Sequence, residues 1–90
     1  MKVGSVRVHP APRNERARGL VAWLTLEIHG LVLDGFALRR TRDGDPYLAF
    51  PKRRDANGDL HPIVWPLDRR DRQSIQDQVL ASIDLEGLIP

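Results

Sequence analysis

Strand period dominates the first two thirds of the chain and helical period its end. Val6 and Val8 alternate with Arg7 and His9, which predicts a half-buried strand over 3–9, closed by Pro10 and Pro12. The charged stretch over 14–18 reads as a loop, with Arg13, Arg16 and Arg18 around it. Leu20, Ala22, Leu24, Leu26 and Ile28 share one parity, so a strand over 20–28 turns them to the core. Val21, Trp23, Thr25 and Glu27 fall on its other face. His29-Gly30 is a tight reversal into a strand over 31–40. There Val32, Phe36 and Leu38 share a parity with Asp34 as the odd member, and Gly35 marks a bulge or a close backbone approach. Arg39, Arg40 and Arg42 continue that strand into solvent, and RDGDP over 42–46 is a turn by composition.

Two apolar runs, 47–50 and 60–65, then flank a basic loop that presents Lys52, Arg53 and Arg54. They predict strands over 46–51 and 60–65 folded back around that loop. Asp55 to Gly58 forms the turn proper, since Asn-Gly favours positive φ. Pro62 lacks an N–H, which puts its strand at an edge or breaks it there. Asp68 is a good helix N-cap, with Asp71 three residues on. Ile75, Val79 and Ile83 with Leu80 form one apolar stripe, predicting a helix over 69–84 with Gln73, Gln76 and Asp77 facing water. Gly87 is the expected stop, and Leu85, Leu88 and Ile89 form a tail. The fold class expected is α+β: an antiparallel meander of four to five strands with a C-terminal α-helix.

Ninety residues fit one small domain, 1–90, which a second copy of the chain would help to stabilise. Cysteine is absent, which excludes a disulfide framework and thiol chemistry. No long apolar run follows a basic N-terminal segment, so no signal peptide is expected. Thr25, Glu27, His29 and Asp34 interrupt the apolar stretches, so no membrane partner is expected and the default location is the cytoplasm. Net charge is only +2, from 14 basic and 12 acidic residues, but 12 of the basic residues are arginine. The guanidinium fork suits phosphate. All basic residues lie before residue 73, so the basic surface belongs to the sheet, its loops and the first helical turn.

The inventory for catalysis is thin. His9, His29 and His61 lie on three separate segments, and Asp59 with His61 lacks the third ligand of a metal site or a nucleophile. The expectation is a protein that is not an enzyme and carries no cofactor. Lys52, Arg53 and Arg54, with Arg39 and Arg40 beside them and Arg69, Arg70 and Arg72 at the helix start, form a candidate stripe for the phosphates of DNA or RNA. Tyr47 and Trp65 are expected in the core, with stacking on bases as the alternative. Trp23, on the mixed face, is a candidate homodimer contact. The rival class is an adaptor that binds protein partners through Trp23, with the arginines merely solvated.

The segment over 32–80 resembles the stage V sporulation protein G family of small bacterial proteins. The family's F-V-A-M-P-S-K-R-like run corresponds to YLAFPKRR over 47–54, its short turn to Asn57-Gly58, its strand end to Val64-Trp65-Pro66, and its R-x-x-I-Q-D-x-V-L-like helix to RQSIQDQVL over 72–80. Order and spacing hold across more than half the chain. The resemblance implies a homodimeric, cytoplasmic regulator that binds DNA or RNA and is linked to septation and sporulation. It carries the family's basic positions onto Arg53 and Arg54, with Lys52 in place of the usual serine, and the helix-start arginine onto Arg72.

Overall fold

The computed structural model describes residues 1–88. Its fold is α+β. Strands β1 (Val3–Pro10), β2 (Leu20–Ile28), β3 (Leu31–Arg40) and β4 (Pro46–Ala49) form an antiparallel sheet in the order β1-β2-β3-β4. A separate two-stranded ribbon joins β5 (Lys52–Arg54) to β6 (Leu60–Pro62). Helix α2 (Arg69–Ser82) and a last turn, α3 (Leu85–Leu88), complete the chain, and α1 (Arg13–Arg16) is a short helical turn where a loop was expected. Among the described residues, no helix is long and apolar enough to cross a membrane.

One face of the sheet is covered and the other is largely open. Phe36, Leu38, Leu24, Leu26 and Leu48 meet Ile75 and Val79 of α2 in the main core, with Ile83, Leu85 and Leu88 packed at its margin. Phe36 is fully buried and meets Phe50 edge to face at 5.2 Å between centroids. Burying one such ring contributes about 1.5–3 kcal/mol. On the other face Ala11 packs against Leu20, Ala37 and Ala49, covering one corner.

Two bulges change which residues reach the core. Between Leu20 and Ala22 the register shifts, so Val21 joins the main core while Leu20 packs with Ala37 on the opposite side. Leu24 pairs with Phe36 and Leu26 with Leu33, leaving an extra residue in β3. Gly35, at φ +86°, takes up that residue in a conformation that disfavours any side chain with a Cβ. Leu33 consequently leans on the core, and Val32 is exposed rather than inward.

The basic segment is not a loop. Pro51 ends the main sheet, and its carbonyl accepts from the amides of Ile63 and Val64. The two apolar runs therefore do not pair with each other: β4 pairs with β3, and Lys52–Arg54 pairs with Leu60–Pro62. Pro62 is accommodated because each strand of a two-stranded ribbon is an edge. Residues 63–65 lie outside any strand. Nor do Arg39 and Arg40 run into solvent; both belong to β3, opposite Tyr47 and Pro46, and are half-buried.

Helix α2 starts as expected, with the Asp68 carboxylate accepting from the Asp71 amide at 3.0 Å. It stops at Ser82, earlier than residue 84. There the Ser82 hydroxyl donates to the Val79 carbonyl, competing with the helical bonds, and Asp84 accepts from the Gly87 amide and opens α3. Gly87 is inside that turn, not a stop; Ile89 lies outside the described residues. Gln76 does not face water. Its Oε1 accepts from the Leu48 amide of β4 at 3.0 Å, while Gln78 Oε1 accepts from the Val3 amide of β1 at 2.8 Å. Two glutamines thus tie the helix to both outer strands.

Candidate nucleic-acid interface

The open face carries a groove of about 800 Å³. Its floor is small: Ala37 lies between Trp23 and Ala49 in one cross-strand row, and Gly35 adds no side chain. Its aromatic walls are Trp23, Tyr47 and Trp65. Its cations are Arg39, Lys52, Arg54 and Arg72, and among the described residues no acidic side chain lines it.

The local structure explains why these four converge. Arg39 pairs with Tyr47 across β3 and β4, one row from Ala37, and its Nη2 donates to the Arg18 carbonyl. Lys52 and Arg54 share a face of β5 because strand side chains alternate. Arg54 is steadied by a 2.6 Å hydrogen bond from Nη1 to the Gly58 carbonyl. Arg72, in the first turn of α2, lies 5.6 Å from the Trp65 ring centre and 5.8 Å from that of Phe50. Such cation–π contacts contribute about 0.5–1 kcal/mol at exposed sites. Phe50 in turn meets Trp65 at 6.4 Å. A half-exposed tryptophan is thereby held between the core and a guanidinium. Among the described residues, Arg39, Lys52, Arg54 and Arg72 form no salt bridge with a carboxylate.

That His61 partner is Asp55, not Asp59. The Asp55 carboxylate accepts from the amides of Asn57 and Asp59 at 2.9 Å and meets His61 Nε2 at 2.6 Å, closing the turn of the ribbon. Only Gly58 of the Asn57-Gly58 pair has positive φ, because this side-chain scaffold builds a wider turn than the two-residue form. Beyond Gly35 on the open face, Thr25 donates to the Asp34 carboxylate at 2.8 Å.

Of the residues singled out from the sequence, Arg39, Lys52, Arg54, Arg72 and Trp23 come together in the groove. Arg53 alternates to the other side of β5, opposite His61. Arg40 has the opposite parity to Arg39, and its amide donates to the Gly19 carbonyl. Arg69 borders a neighbouring depression with Trp65 and Leu67, and Arg70 is exposed on α2 outside the groove. Tyr47 and Trp65, expected in the core, stand half-buried and exposed on its walls. The sequence reading missed the floor. The signal for it was the small residue Ala37, opposite in parity to Phe36 and Leu38. No protein-family model matches this chain, and no curated protein matches it.

Proposed function

We propose that this protein is a non-catalytic nucleic-acid-binding protein that takes its ligand in the groove on the open face of the sheet. One observation carries the reading: four cations that form no salt bridge among the described residues line one concavity with four aromatic rings, and no acidic side chain of the described residues lines it. Clustered positive charge attracts a polyanion, and exposed rings offer sequence-tolerant contact to bases. The resemblance to the stage V sporulation protein G family implies the same ligand class. With it go the proposals of a homodimer, a cytoplasmic location and a regulatory role linked to septation and sporulation. A second reading, a protein-binding adaptor, draws on the exposed apolar side chains of Leu31, Val32, Ile63 and Leu67.

Fluorescence anisotropy against labelled DNA and RNA at several salt concentrations tests this. Four phosphate contacts give a slope of log K against log salt of about −3 to −4. Lys52→Glu with Arg54→Glu abolishes binding, whereas Arg53→Glu, on the far side of the ribbon, leaves most of it. No binding by the folded protein to any nucleic acid would overturn the reading in favour of the adaptor.

A further inference from the structure

We infer that the groove's ligand is a single strand whose bases stack on its aromatic walls, and not a duplex. This rests on the nucleic-acid reading above and narrows it. The shape decides. Trp23 on β2 and the floor residue Ala49 on β4 are two strands apart, about 10 Å at the usual strand spacing. Across that row the side chains run Trp23, Ala37, Ala49, a large ring beside two of the smallest side chains. Gly35 extends the bare floor. Proteins that read duplex DNA directly push a helix or ribbon into a major groove about 12 Å wide. Here the relation is inverted, because the charged and aromatic groups line a hollow. The β5–β6 ribbon is a two-stranded element of the kind that enters a duplex groove. It turns Lys52 and Arg54 toward the hollow and leaves Arg53 on its outer side.

The chemistry agrees with the shape. A stacked duplex presents phosphates and base edges, which would leave the faces of Trp23 and Trp65 unused. A single strand presents base faces, and its backbone can follow the cations. Trp23 is 48 % exposed and Trp65 is 56 % exposed, a large apolar area to leave in water beside four cations. The groove's volume falls within the roughly 300–1,000 Å³ range of pockets that enclose a whole small ligand. It therefore suits a short run of nucleotides.

The two tryptophans of the chain both line the groove, so intrinsic fluorescence reports on it directly. The probes are oligouridylate, oligoadenylate and oligo(dT) of about ten nucleotides, and a blunt duplex of about ten base pairs, within the site sizes of single-strand binders. At matched salt, at least one single strand is expected to quench the fluorescence and to bind about tenfold or more tightly than the duplex. Trp23→Ala then weakens single-strand binding by roughly 5- to 150-fold, the range for loss of one stacked base, with no change in salt slope. Trp65→Leu, checked for folding by circular dichroism, does the same and keeps the test open if the first variant unfolds. Duplex binding equal to or tighter than single-strand binding, or single-strand binding without quenching, would overturn this inference and leave the nucleic-acid reading standing. No binding to any probe would remove both.

Discussion

At the scale of single residues, Asp55 shows how one carboxylate shapes the candidate site. His61 first, and then the amides of Asp59, Asn57 and Gly58, hold its carboxyl below the ordinary carboxylate range. A carboxyl depressed in the folded state contributes stability that is present in full above its unfolded value of about 3.9 and is lost as pH falls through the folded value. Thermal melting followed from about pH 5 to pH 2 is expected to fall less steeply in Asp55→Asn than in the native protein. Asp34, lowered mainly by the Thr25 hydroxyl, acts in the same direction, so the variant's slope is reduced rather than abolished. Parallel curves would mean that the Asp55 clasp contributes nothing to folding. The sequence marked residues 55–58 as a turn but not this clasp, because the Asp55–His61 contact depends on the ribbon's register. Gly35 was legible as a bulge. Its consequence, Leu33 inward and Val32 outward, was not, because simple alternation carries a single parity through a strand.

At the scale of elements, period and punctuation located the strands of the main sheet and the start of α2, and they fixed the α+β class. They failed where an element's partner decides its form. Lys52–Arg54 is a strand only because Leu60–Pro62 returns beside it, and no local propensity of three cations foretells that. Gln76 was likewise read as solvated, although it and Gln78 both reach edge-strand amides. The Leu48 amide sits on a buried residue, so removing its acceptor costs about 1–3 kcal/mol. Gln76→Ala is expected to lower the urea midpoint accordingly and to speed hydrogen exchange at the Leu48 amide more than at amides inside the β2–β3 ladder. Unchanged exchange at Leu48 would show that water replaces the glutamine without loss.

At the scale of the whole molecule, the homodimer contact expected of Trp23 and its place on the groove wall exclude each other. A wall of the groove must be open to the ligand, whereas a two-fold contact centred on Trp23 would cover the open face and seat Arg39, Lys52, Arg54 and Arg72 against their own copies. Bringing these like charges together without carboxylates between them is unfavourable, and the groove contributes none. The covered face, with Phe36, Ile75 and Val79 already packed, offers no such conflict because α2 occupies it. Self-association is therefore expected to leave Trp23 exposed and to involve other apolar surface, such as Leu31 and Val32 at the β2–β3 tip. Light scattering on the native protein and on Trp23→Glu, each with and without saturating oligonucleotide, separates the possibilities. The expected result is an unchanged number of chains per particle in Trp23→Glu together with lost oligonucleotide binding. A native dimer that becomes monomeric in Trp23→Glu, or that dissociates as oligonucleotide is added, would assign Trp23 to the contact between copies and make the two uses of the open face competitive.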